Sequence, residues 1–110
     1  MKITSRYIDI PSVRIDTNNI PENLRDLLPL AKEWAIGDDV ERSYFISQTS
    51  IKEKKEFLKK VLSKIDEIER WCTKQREKIP VPDEAVLFDD MMEAFRDVDN
   101  DINKRYDDKF

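Results

Sequence analysis

Histidine is absent from the 110-residue chain, and glycine and cysteine occur once each. Each scarcity removes a class of chemistry. Without histidine there is no imidazole to act as a general base, to activate a serine or cysteine nucleophile, or to complete the common zinc sites. A lone glycine, Gly37, is too little for a phosphate-cradling loop or for a fold that needs many tight turns at positive φ. The single cysteine, Cys72, forms no internal disulfide, and no apolar run approaches the roughly 20 residues that span a bilayer. The start of the chain also lacks the charged, apolar and small-residue pattern that directs secretion. These absences point to a cytoplasmic protein in a reducing compartment, without a membrane partner.

Charge is what the chain has most of. Charged residues make up 40 % and hydrophobic ones 39 %, and the latter recur periodically, which favours a folded domain over a disordered chain. The length fits one domain that buries roughly 60–70 % of the surface its unfolded chain exposes. The net charge of −4 is unevenly spread. Residues 1–49 hold 6 basic and 8 acidic groups, residues 50–79 hold 10 and 6, and residues 80–110 hold 4 and 10. The last third therefore repels nucleic acid and attracts a basic partner.

Along the chain the pattern is helical after residue 20. In residues 1–20, Tyr7, Ile8, Ile10, Val13 and Ile15 are β-prone and Pro11 interrupts them, which predicts an extended N-terminal arm. Leu24, Leu27, Leu28, Ala31 and Trp34 then recur at helical spacing over residues 21–36, with Pro21 suited to a first helical position and Gly37 to a stop. Pro29 interrupts that pattern at a cost of about 3 kcal/mol in a helix interior, so a kink or two short helices meeting there is expected. Asp38 with Glu41, and Ser50 with Glu53, form capping-box patterns that open helices over 39–47 and 50–79. In the longer one Phe57, Val61, Ile65, Ile68 and Cys72 share a stripe, and Glu56–Lys60 and Asp66–Arg70 are acid-first i,i+4 pairs. Pro80 and Pro82 end it, and Asp83 is placed to cap a last helix over 83–107, in which Leu87, Met91, Phe95, Val98, Ile102 and Tyr106 step by three and four. The fold class is all-α: an irregular helical bundle of about four helices, with the two long ones antiparallel across the proline turn.

The stretch from Asp97 to Asp108 places acids at positions 1, 3, 5 and 12 of a twelve-residue window, as a calcium loop of the EF-hand kind would. Ile102 stands where that loop needs glycine, and Lys104 where it needs an apolar residue. On a helix, residues two apart point about 200° from each other, so Asp97 and Asp99 do not share an ion. The helical reading accounts for Val98, Ile102 and Tyr106, and no metal or cofactor is expected. What remains is an acidic stripe of Asp90, Glu93, Asp97 and Asp101, whose like charges repel by a few tenths of a kcal/mol per pair. Either lysines of the preceding helix or a basic partner would relieve it.

Other features read as core or as hydrated surface. Cys72, in phase with the apolar stripe, is expected to be a buried small hydrophobe. In "KEKKEFLKK" the acids Glu53 and Glu56 break up the lysines and no aromatic residue alternates with them, so nucleic acid is not an expected ligand. Trp34 and Trp71 are expected at the core or its edge. Met91 and Met92 point about 100° apart, which predicts that only one faces the core; the other, with Phe88, would form a second apolar face for a dimer or a partner.

The segment "LRDLLPLAKEWAIGDDVER", Leu24 to Arg42, resembles small bacterial all-α proteins of unassigned function that share a Leu-rich helix with a proline, an aromatic residue and an Ile-Gly-Asp-Asp turn. The resemblance implies a helical fold and a bacterial cytoplasmic setting, and it implies no cofactor or catalytic residue. The residues themselves lead to the expectation of a non-catalytic protein-binding protein, for example an immunity-type inhibitor whose acidic helix (Asp90, Glu93, Asp97, Asp101) covers a basic target. A self-associating scaffold using Phe88 and Met92 is the alternative, and a carboxylate-based metal-dependent enzyme is a third.

Overall fold

The structure, a computed structural model, describes residues 15–107. The expected arm over residues 1–14 and the side chain of Tyr106 lie outside the described residues. Among those described, five α-helices and two 3-10 turns form an all-α bundle. We number the helices α1 (Leu28–Trp34), α2 (Asp39–Ser47), α3 (Ile51–Leu62), α4 (Ile65–Gln75) and α5 (Asp83–Asp107). The turns are Thr17–Asn19 and Glu22–Leu27.

Helix α5 is the axis, packed against all four of the others. That position explains a departure from expectation. Met91 and Met92 are both buried, and so is Phe88. Around α5, the residues from Ala94 and Leu87 through Met91, Phe95 and Phe88 to Met92 cover about half of the helix circumference. An axial helix needs an arc that wide, whereas a helix resting on one neighbour needs only a stripe. The second apolar face expected of Phe88 and Met92 is therefore interior and is not offered to a partner. Each of these large side chains contributes about 1.5–3 kcal/mol of burial.

Pro29 does divide the first helical region. The chain runs as a 3-10 turn through Leu27, and α1 opens at Leu28 with the proline in its first turn, where its missing N–H costs nothing. Helix α1 then brings Trp34 to the centre. Its indole stacks on Phe57 of α3 at 4.0 Å between ring centres and meets Phe45 of α2 edge-on at 5.0 Å. Phe57 in turn meets Phe95 of α5 at 6.5 Å, so one aromatic chain ties four helices together.

The single helix expected over residues 50–79 is two. Helix α3 ends at Leu62, and α4 begins at Ile65. Between them the Ser63 hydroxyl donates to the carbonyl of Lys60 at 2.7 Å, and Lys64 leaves helical geometry at φ −134°, ψ 23°. Serine competes with the helical ladder in this way. The Lys64 ammonium then donates to the carbonyl of Asn23 and faces Asp26 at 3.4 Å, holding the break against the segment before α1. The two expected surface pairs, Glu56–Lys60 and Asp66–Arg70, are not among the ion pairs of the described residues.

The starts of α2 and α3 follow their capping patterns: Asp38 accepts from the Glu41 N–H at 2.9 Å and Ser50 from the Glu53 N–H at 3.1 Å. Helix α5 spans the expected residues 83–107, but Asp83 lies inside its first turn where a cap was expected, because the Pro82 carbonyl accepts from the Val86 N–H at 3.1 Å. The neighbouring Glu84 is buried. Its carboxylate accepts from the Asp16 N–H at 2.5 Å and from the Asn19 side chain at 3.4 Å, fastening the segment before Ile20 to the start of α5. Ile20 itself is fully buried, so the end of the expected arm belongs to the core.

Candidate functional site

Helix α5 continues without interruption through Asp97, Asp99 and Asp101, as the spacing of Val98 and Ile102 requires. The four acids of the stripe have different surroundings. Asp90 is half-buried and partnered within the fold. Glu93 is exposed and pairs with Arg96 one turn on, at 2.9 Å. Asp101 meets Lys54, a lysine of the preceding helical stretch as one of the two expectations had it, and Asp97 meets Arg42, which sequence reasoning passed over.

Arg42, on α2, is 5 % exposed although it carries a full charge. Its guanidinium uses each nitrogen: Nε donates to Asp97 Oδ2 at 2.7 Å, Nη1 to the carbonyl of Ile36 at 2.8 Å, and Nη2 to Asp39 Oδ1. Burial alone would lower its pKa, but the hydrogen bonds and charges of Asp97 and Asp39 outweigh that and hold the group above its ordinary value. Lys54, on α3, is equally buried, and its ammonium donates to Asp101 Oδ2 at 2.9 Å. The sequence does carry a signal for Lys54: it is in phase with Phe57 and Val61, and a charge on a core stripe needs a partner. Arg42 lies in phase with Ile46 in the same way.

Arg42, Asp97 and Asp101 line an open cleft of about 700 Å³ between α2 and α5. Asp39, Ser43 and Ser47 line it from α2, and Glu93, Asp97 and Asp101 from α5. The carboxylates of Asp97 and Asp101 each accept their internal cation on Oδ2, and their side chains are 39 % and 42 % exposed. The four acids face three cations of the same chain, Arg42 for Asp39 and Asp97, Lys54 for Asp101 and Arg96 for Glu93, which leaves the cleft one net negative charge. Beside its α2 rim stand Val40 and Tyr44, which remain exposed.

A second, smaller cavity of about 290 Å³ includes Cys72, Arg76 and Asp89. Burial, and then the charge of Asp89, push the Cys72 thiol up to about 12, so the group is protonated and unreactive at neutral pH. Asp89 itself is held by Arg76 at 2.7 Å. No group of three or more His, Cys, Asp or Glu side chains among the described residues is arranged to hold a metal ion, and no helix among them is long and apolar enough to cross a membrane. Comparison with family models, with curated proteins and with solved structures finds no match.

Proposed function

We propose that the chain is a non-catalytic protein-binding protein, and that the cleft between α2 and α5 receives basic side chains of a protein partner in the manner of an immunity-type inhibitor. One observation carries the reading: Asp39, Glu93, Asp97 and Asp101 border a single open cleft and stay partly exposed although each pairs with a cation of the same chain. Prearranged carboxylates lose little freedom when a guanidinium or ammonium arrives, and charge complementarity speeds the encounter. A catalytic use of the same acids would need two carboxylates in environments that separate their roles, and here all four are open to water.

The test is affinity capture from the native host at low and at moderate salt, with the natural chain and with Ser43→Arg as bait. Ser43 is exposed and lines the cleft, so the new arginine adds a competing cation without removing a core contact. A protein held by the natural chain, released by salt and not held by Ser43→Arg is the expected result. Capture that is equal for both baits would contradict the reading.

A further inference from the structure

A recess of about 230 Å³ opens between α4 and the 3-10 turn that precedes α1, and it shares no residue with the cleft. Its apolar lining is Pro21, the fully buried Leu24 and the half-buried Trp71, whose indole meets Phe88 edge-on at 5.3 Å. The wall opposite α4 is fixed by its own bonds: the Leu24 N–H donates to the carbonyl of Pro21 at 2.9 Å and Arg25 Nε to the carbonyl of Ile20 at 2.9 Å. Lys64, at the start of α4, donates to the carbonyl of Asn23 and ties the two walls together. The polar lining is three charges on one face of α4, the half-buried Glu67 and the exposed Arg70 and Lys74, at steps of three and four around Trp71. None of the three has an ion pair among the described residues. Arg70 has Asp66 and Glu67 within reach on its own helix and joins neither, while Arg70 and Lys74 repel each other as like charges at i,i+4.

We propose that this recess binds a small zwitterion with an apolar body, and a free hydrophobic amino acid is the class that has every part. Its carboxylate meets Arg70 and Lys74 and relieves their repulsion, its ammonium meets Glu67, and its side chain lies against Trp71, Pro21 and Leu24. Charge-assisted hydrogen bonds to groups already presented on a folded helix give orientation, and the aromatic wall gives burial. A simple anion would satisfy the two cations and face an unanswered Glu67; a simple amine would do the reverse. Only a dipolar ligand sets a complementary charge against each sign. The size agrees as well, since about 230 Å³ is below the roughly 300–1,000 Å³ of drug-sized sites and suits one amino acid rather than a peptide. The inference is independent of what the α2–α5 cleft receives.

Titration of the isotope-labelled whole protein with L-phenylalanine and with L-leucine, followed by amide and indole N–H shifts, tests this. Saturable shifts at Glu67, Arg70, Lys74 and the Trp71 indole, with none at Ser43 and Ser47 of the cleft, are expected from at least one of the two. Phenylpropionate, which lacks the ammonium, and phenylethylamine, which lacks the carboxylate, should each bind at least tenfold more weakly than phenylalanine. Glu67→Gln should remove the preference for phenylalanine over phenylpropionate, and Arg70→Gln/Lys74→Gln should weaken both at least tenfold. These substitutions lie outside the core, and circular dichroism checks that each variant is folded. No saturable shift from either amino acid at tens of millimolar overturns the proposal. So does phenylpropionate or phenylethylamine binding the natural chain as well as phenylalanine does, or an affinity that both sets of substitutions leave unchanged.

Discussion

Arg42 and Asp97, separated by 55 residues, meet at 2.7 Å across the join of α2 and α5. The contact sets the place of α2, because the same guanidinium also grips the carbonyl of Ile36, in the α1–α2 connection, and the carboxylate of Asp39, at the start of α2. Arg42→Met removes all three contacts and leaves a buried carbonyl without its donor. We expect a loss of about 2–4 kcal/mol, read as a lower urea midpoint with an unchanged slope. Asp97→Asn removes one contact from a partly solvated position and should cost about 1 kcal/mol.

Lys54 supplies a contrast. Its ammonium pairs with Asp101, and that carboxylate is 42 % exposed and is rehydrated readily when the cation is gone. Lys54→Met keeps the apolar stem packed near Phe57 and avoids the desolvation of a charge. The expected change in stability is within about 1 kcal/mol, well below that of Arg42→Met. Urea denaturation of the two variants side by side checks the order.

The aromatic chain through the centre predicts the largest single effect. Phe57→Ala opens a cavity between Trp34 and Phe95 and should cost about 3–5 kcal/mol, a large share of the 5–15 kcal/mol typical of a domain. Because Trp34 loses its stacked neighbour, its fluorescence in the folded state should change as well, while Leu62→Gln, on the exposed side of the same helix, leaves both readouts close to the natural values.

Cys72 gives a pH dependence of known sign. The folded thiol keeps its proton up to about 12, whereas the unfolded thiol releases it near 9.0. Between those values the unfolded state binds fewer protons than the native one, so stability falls as pH rises above about 9 and is unaffected by this group below it. Cys72→Ala lacks that loss, so the stability difference between the two proteins should narrow from pH 9 to pH 11. At pH 8 the native thiol should resist alkylation and become reactive only in denaturant, as mass spectrometry would show.

Much of the fold was legible in the residues because its signals are local. Asp38 with Glu41 and Ser50 with Glu53 mark helix starts through bonds that span three residues, and the 83–107 periodicity is long enough to fix one continuous helix. The break at Ser63–Lys64 was not legible, since the apolar stripe from Val61 through Ile65 to Ile68 keeps helical phase across it and the anchor of Lys64 is some forty residues away at Asn23 and Asp26. The same reason hid the burial of Met92 and Phe88: a pattern along one helix does not say how many neighbours surround it. Of the site, the stripe of Glu93, Asp97 and Asp101 was readable, while its partners Arg42 and Lys54 depend on how α2 and α3 cross α5.

The most direct test of the cleft is a titration of the isotope-labelled chain with a short oligo-arginine peptide, followed by amide chemical shifts at low salt. Saturable shifts concentrated at Ser43, Ser47, Glu93, Asp97 and their neighbours, reduced by salt and absent from Ser43→Arg, are the predicted result. Shifts scattered over every acidic stretch of the surface, or unchanged in Ser43→Arg, would contradict the assignment of the α2–α5 cleft as the place where basic groups bind.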